Sequence, residues 1–510
     1  MPNENTHNKT RAFPPWSILL LAFLSTAAAH GCLVLYYGSP LPFWDEWDGI
    51  GLRLFLPFLT HRLSLHDLFS THNEHRVVLT RLQSLALLTI SGRWDIITEM
   101  TLNCVWYGLS IAVLVGSQLR SDFAQISRWA PVFTVTIFSL PFGFQNATWG
   151  FESQNYFPLL FAAIAFSPDY NHSLQSRRWW IMIAACFFPL FSSATGILIS
   201  VVVIVMHTML CALRLQPWQK AMPTLIATGA IFCLGFYLRK NEPSLDYLEA
   251  KTFAVFLRVM DSCLAWPNID QPLTALVAYL PVITLVLIVF LKKRQFGPQA
   301  LMLVWAPATI GILQALAIAY ERGNGLPDYA PLSRYQEILA VGATANFCAL
   351  LMLKPAEKKS SWRPLWTLLC ISWCTLFVLG AIRLSMVNFE IHLPFKAATN
   401  SSESKLLTSY AQTHDPSFLA GKSLFEIGYT DARTIQQVID NSTLAPVLPT
   451  MLQLDGKPTR IESGCNFLLR LSPAMFLLSF TLLLFASIFG RREVKLHKQN
   501  RSPEPNESFT

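Results

Sequence analysis

Charge is what this chain lacks most: only 14% of its 510 residues are Asp, Glu, Lys or Arg, against roughly a quarter in an ordinary soluble protein. The charges that exist are clustered between long apolar runs, which excludes a string of two or three soluble domains. Cysteine pairing is missing as well. None of the ten cysteines has a partner at CxxC spacing, and most, such as Cys32, Cys104, Cys186, Cys348 and Cys370, fall inside apolar runs as small hydrophobes. That argues against a cysteine zinc site; only Cys263 and Cys465 fall clearly outside the apolar runs, where one disulfide could join them. No repeat of fixed period runs through the sequence. The formal net charge of +8 does not indicate nucleic acid, because the basic residues sit in short clusters beside apolar runs.

What fills the chain instead is hydrophobic: 52% apolar residues, with 36 Phe and 15 Trp, and a mean hydropathy of +0.39. Residues 17–37 form the first long run. Thr26-Ala-Ala-Ala resembles a signal-peptide cleavage site, but a signal core is about 7 to 15 residues and apolar sequence continues to Tyr37, which predicts an uncleaved first span behind a cytoplasmic N-terminus, 1–16. Further runs near 97–117, 129–144, 156–167, 179–192, 196–213, 221–238, 272–291, 299–319, 338–353, 364–384 and 472–489 bring the expected count to about twelve. The fold class is therefore an all-α polytopic membrane protein with about twelve transmembrane helices. Its transmembrane core is 17–384, with an external loop at 38–96, an external segment or small subdomain at 385–471, a last span at 472–489 and a cytoplasmic tail at 490–510.

Charge sets the orientation. With alternating spans, the even-numbered connections receive Arg120 and Arg128, Arg177 and Arg178, Arg214 and Lys220, Lys292-Lys-Arg294, Lys354 with Lys358 and Lys359, and the tail from Arg491. Every one of them is basic, as the positive-inside rule requires of cytoplasmic loops. Both termini are expected in the cytoplasm, with the protein in the cytoplasmic (inner) membrane. The remaining connections, 38–96, 145–155, 239–271, 320–337 and 385–471, fall on the opposite side and hold the unusual polar sequence. The first reads as surface helices, and within the last Thr399–Ser404 reads as a loop and Asp431–Asn441 as a helix.

Residues 42–48, Pro-Phe-Trp-Asp-Glu-Trp-Asp, put Asp45, Glu46 and Asp48 beside two interfacial tryptophans directly after the first span. Three acids at a bilayer surface are costly and suggest a site. Glu152 is the acid of Trp149-Gly-Phe-Glu-Ser-Gln154. Leu332-Ser-Arg-Tyr335 lies at an external span end, and His72-Asn-Glu-His-Arg76 leads into an amphipathic helix. An acid after the first span, surface helices in the first external loop, about a dozen spans and an external C-terminal portion together resemble the GT-C superfamily of integral membrane glycosyltransferases. The resemblance covers the general layout, and its specific part is the short motifs. It implies that Asp45 and Glu46 hold the position of the catalytic acids, that Glu152 is the second acid, and that sugar comes from a polyprenyl-phosphate donor and passes to an extracytoplasmic acceptor.

The chemistry agrees with those residue types. An acceptor hydroxyl attacking an anomeric carbon must lose a proton to a carboxylate, and a departing lipid phosphate needs cationic or metal stabilisation. Asp45 is the first choice of base, with Glu46 or Asp48 positioning it or sharing a divalent metal ion with Glu152. Arg334 and Tyr335 are placed to clamp phosphate, with Arg76 and Arg322 as alternatives. His72, Glu74 and His75 are candidates for metal or acceptor binding. The plain alternatives are a solvated turn with tryptophan anchors for 44–48, a loop acid at 152, a helix start at 72–76 and a snorkelling arginine at 334. A transporter would carry ionisable groups at mid-membrane, and a scaffold for polysaccharide assembly would leave the acids without a purpose. Convergence of Asp45, Glu152 and Arg334 on one cavity separates the transferase from both.

Overall fold

The computed structural model describes residues 14–167, 176–240, 242–269, 271, 273–291, 296–355, 360–454 and 456–489. The basic residues at 9, 11, 292–294, 358, 359 and from 491 onward, and the tail they introduce, lie outside the described residues. Within them the architecture is all helical. The helices used below are α1 (Pro15–Tyr37), α2 (Val78–Ser91), α3 (Ile96–Leu119), α4 (Ala124–Phe138), α5 (Ser153–Ala165), α6 (Arg177–Phe187), α7 (Ile197–Ala212) and α8 (Trp218–Leu238). They continue as α9 (Phe253–Leu264), α10 (Ala275–Phe290), α11 (Pro298–Arg322), α12 (Ser333–Leu353), α13 (Arg363–Val387), α14 (Leu393–Thr413), α15 (Ala432–Ile439) and α16 (Arg460–Phe489).

Local signals account for many boundaries. Pro15 opens α1, where its missing N–H costs nothing. Gly92, at φ 70°, closes α2, and Asp95 caps α3 by accepting from the Thr98 N–H at 3.0 Å. Among the described residues eight helices are long and apolar enough to cross a membrane, which makes the protein polytopic. The other four predicted spans are also helical but shorter: 15 residues in α4, 13 in α5, 11 in α6 and 16 in α10. Leucines and isoleucines along α13 and α16, such as Leu368, Ile371, Leu379, Leu477 and Leu478, remain exposed, as a lipid-facing surface requires.

Two features differ from the sequence reading. The stretch Thr399–Ser404 is a helix interior and not a loop, because α13 runs through a π-helical turn, Asn388–His392, straight into α14. The continuous helix of 51 residues is about 76 Å long at 1.5 Å per residue, more than twice the hydrocarbon thickness, so its second half projects out of the bilayer. Tertiary burial of Thr399, Glu403, Leu407 and Tyr410 sustains a helix that the polar sequence conceals. Secondly, all ten cysteines are free: Cys263 is packed in the membrane core and Cys465 accepts a weak bond from Thr98, so they do not pair.

The five polar connections on the predicted outer side meet at one end of the bundle. Trp44 N–H donates to the Gly428 carbonyl at 2.7 Å, and Ala250 N–H to Tyr320 at 2.9 Å. Arg76 Nε reaches the Leu238 carbonyl at 3.1 Å, and Asn146 the Arg334 carbonyl at 3.1 Å. Trp47 is no interfacial anchor: it is buried with Ile50, Leu54 and Phe55 in a second core, shared with Leu407, Ile435, Val438 and Leu444 of the C-terminal segment. The first loop and the segment after α13 thus form one unit with a shared core. At the opposite end Arg128 holds the last turn of α16 through the carbonyls of Ser487 and Ile488.

Candidate functional site

The acidic motif is folded as a wide coil. After α1 the chain turns at Trp44, whose φ is 51°, and residues Glu46–Phe55 form a π-helix that begins at Asp45. Asp45 and Asp48 lie together on its partly open face, with side chains 20% and 16% exposed. Arg53 pairs with Asp48 at 2.9 Å. Opposite them, His72 is delivered by a two-residue turn in which His72 and His75 exchange backbone hydrogen bonds of 2.8 and 3.0 Å around Asn73 at φ 50°. Its ring lies against Gly49, where a Cβ would come within 3.0 Å of Cε1, and brings Nε2 to 3.3 Å from an Asp45 oxygen. One ligand atom from each of Asp45, Asp48 and His72 falls within 4.8 Å of the others.

Glu46, adjacent in sequence, faces the other way. It is fully buried, accepts from the Phe43 N–H at 2.7 Å and lies against Gly150, where a Cβ would be 2.6 Å from its Oε1. Burial, with the charge of Glu99 adding to it, holds its carboxyl well above the usual carboxylate range. It packs between the first loop and the 145–155 connection, within reach of the charge of Glu403 on α14.

Glu152 begins α5, and its connection is tied to the acidic motif by Trp149, whose Nε1 donates to the Phe43 carbonyl at 3.0 Å. The carboxylate accepts from Asn155 and, at 3.5 Å, from Gln154. Burial pushes it up to about 7, against the opposing pull of the Arg334 guanidinium, and the charge of Asp45 adds to the rise. Asp45, Glu152 and Arg334 therefore lie within one another's electrostatic reach. The sign of the pH dependence follows: between its ordinary 4.5 and about 7 the folded state binds a proton that the unfolded state has released, so Glu152 lowers stability as pH rises through that window. Glu152→Gln is expected to stabilise the protein increasingly from pH 4.5 to 7 and to a constant extent above, measured as thermal unfolding across pH. An increment independent of pH would contradict it.

Arg334 opens α12. Its N–H donates to Gln145 at 3.2 Å, and its guanidinium lies 5.2 Å from the Tyr335 ring centre. The Tyr335 hydroxyl hydrogen-bonds both Arg334 and Arg322. Arg322 also pairs with Glu74, which stands 3.6 Å from His75 Nε2, while His75 Nδ1 accepts from the Ala194 N–H at 3.1 Å. Arg322, Glu74 and His75 thus form a rim that holds Tyr335 beside Arg334. Arg76 is outside this set: its Nε and Nη1 go to the carbonyls of Leu238 and Phe69 and staple the first loop to the end of α8.

Four further residues, absent from the sequence reading, organise the centre. Asn155 donates to Glu152 and to Asn146 Oδ1 at 3.2 Å. Asn146 in turn donates to Glu337 Oε2 at 2.7 Å. The second Glu337 oxygen lies 2.9 Å from Nε2 of His30 on α1, whose ring stacks on Tyr107 at 3.6 Å. An ionisable pair inside two spanning helices was the available signal. Arg334, Tyr335, Asn155 and Glu337 line a small cleft together with the apolar residues Leu159, Ile199 and Ile310. A larger cleft is lined by Ser333 and Gln336 of the first turn of α12 and by Asn388.

No protein-family model, curated protein or solved structure matches this chain.

Proposed function

We propose that the protein is a membrane glycosyltransferase of the GT-C kind, moving a sugar from a polyprenyl-phosphate donor to an extracytoplasmic acceptor, a cell-envelope glycan or lipid. The observation that supports this reading is a cleft in which Arg334 and Tyr335 meet apolar residues, with Glu152, which feels the charges of both Arg334 and Asp45, hydrogen-bonded to its lining residue Asn155. A lipid phosphate combines the two chemistries of that cleft, an anion for Arg334 and Tyr335 and a hydrocarbon chain for the apolar wall. Asp45, partly open to solvent, takes the proton of the acceptor hydroxyl as its oxygen bonds to the anomeric carbon. The bond from that carbon to phosphate oxygen breaks, and lipid phosphate leaves against Arg334.

Twelve crossings belong to the same proposal, the short helices α4, α5, α6 and α10 completing the alternation that puts both termini in the cytoplasm. Cytoplasmic labelling of an Asp45→Cys variant would overturn that orientation.

A proton-coupled transporter is the second reading, favoured by the buried His30–Glu337 pair. That pair leads through Asn146 and Asn155 to Glu152, which suits a positioning role at an enzyme centre. In lipid nanodiscs, Arg334→Lys is expected to weaken binding of polyprenyl phosphate by about ten- to a hundredfold, as loss of a charge-assisted bidentate contact does. Unchanged affinity in the variant, or failure of the wild-type protein to bind the lipid, would remove the transferase reading. Proton uptake coupled to solute movement in liposomes would establish the transporter.

A further inference from the structure

Asp45 and Asp48 could be an ordinary pair of half-exposed acids, were it not for the side chain that faces them. His72 is 4% exposed, and neither of its ring nitrogens has a hydrogen-bond partner. Nε2 is 3.3 Å from an Asp45 oxygen but is not aligned to bond it. A buried imidazole N–H with no acceptor costs about 1 to 3 kcal/mol, and here the ring is packed against two carboxylates, the arrangement of a ligand set.

The surroundings are built to keep it there. The absence of a side chain at Gly49 lets the ring approach, Phe151 meets it edge-on at 5.4 Å, and the turn at Asn73 fixes its backbone. Arg53 and Tyr429 both hydrogen-bond Asp48 and orient it, as outer-shell groups orient metal ligands. Glu152 does not join the set: its carboxylate is engaged by Asn155 and Gln154, and it is not among the ligand atoms that come within 4.8 Å of one another.

We propose that Asp45, Asp48 and Nε2 of His72 bind a divalent first-row transition ion, and that the ion sits on these three residues without a ligand from Glu152. Two carboxylates and one imidazole make a mixed oxygen and nitrogen set that suits manganese(II), whose octahedral preference leaves positions for water and for phosphate oxygens. The use of those positions by a lipid phosphate rests on the transferase reading; binding of the ion does not.

The test uses the full chain in nanodiscs, stripped with a chelator and titrated with manganese(II) alone under electron paramagnetic resonance. A single tight site per chain is expected, with pulsed spectra showing a directly bound imidazole nitrogen. His72→Gln and Asp48→Asn should each weaken it by at least about tenfold, and Glu152→Gln should leave it unchanged. Absence of stoichiometric binding, absence of the nitrogen coupling in the wild-type protein, or wild-type affinity in His72→Gln would each overturn the proposal. The nitrogen signal needs no substitution, so a variant that fails to fold does not blunt the test. Binding without any affinity for polyprenyl phosphate would retain the metal site and discard the transferase, and the reverse result would do the opposite.

Discussion

Membranes carrying Asp45→Asn are expected to transfer sugar about a hundred to ten thousand times more slowly than those of the unchanged protein, the contribution of a positioned general base. The substitution keeps the volume and planar shape of the side chain and removes its charge and basicity. Asp45 is partly exposed, and the coil that holds it is set by main-chain bonds such as Trp44 N–H to Gly428 and by the buried residues Trp47, Ile50 and Leu54. Expression and thermal unfolding should therefore stay near those of the parent. The donor contacts of Arg334 and Tyr335 are untouched by the substitution. A secondary effect follows from the charge that Asp45 contributes to the rise at Glu152: without it, Glu152 should release its proton at lower pH, visible by infrared titration of the carboxyl band. Transfer at the parent rate in Asp45→Asn would reject the residue as base.

Glu337→Ala is expected to cost about 1 to 3 kcal/mol of stability for each buried polar group left unsatisfied, the penalty for removing one partner of a buried hydrogen-bonded pair. The carboxylate is 5% exposed and receives His30 at 2.9 Å and Asn146 at 2.7 Å. Its loss leaves the imidazole without its partner between two spanning helices and removes one of the two acceptors of the Asn146 amide, which keeps the Arg334 carbonyl. That amide is the neighbour of Asn155, which holds Glu152. Activity should fall with stability, and Glu337→Gln, which can still meet His30 and Asn146, should recover a larger part of both. Thermal unfolding of purified protein in nanodiscs separates these outcomes. An alanine variant as stable as the parent would show that the pair is not a structural tie.

Much of the site was legible because its residues are expensive where they stand. Acids beside a bilayer surface, and an arginine at a span end, are marked by composition alone, which is why Asp45, Glu152 and Arg334 could be named as candidates from the sequence. The choice among Asp45, Glu46 and Asp48 could not be read in the same way. In an α-helix or strand the three would be assigned to faces by period, but a π-helical coil winds wider, and only its packing against Trp94 and Val438 shows Glu46 turned inward and the two aspartates outward. His72 was a candidate for metal or acceptor binding and Arg76, four residues on, an alternative phosphate clamp; the turn at Asn73 sends the first to the acids, and the second goes to the Leu238 carbonyl. The roles of Asn146, Asn155 and Glu337 were hidden because amides and one carboxylate within apolar surroundings show their purpose only when their partners are in place.

By itself the sequence determined that this chain lives in a bilayer, that it is helical and that it crosses many times. Those properties follow from sums over long stretches, where apolar length and the burial of every backbone polar group leave few solutions. It also determined which segments are polar enough to leave the lipid. Only the tertiary structure decided how they close on one another: that 393–413 continues a spanning helix, that the first loop and the C-terminal segment share one core, and that His72 faces Asp45 and Asp48. The physical reason is that these are contacts between residues hundreds of positions apart or in turns of left-handed backbone, whose energies come from mutual burial and have no local period to announce them.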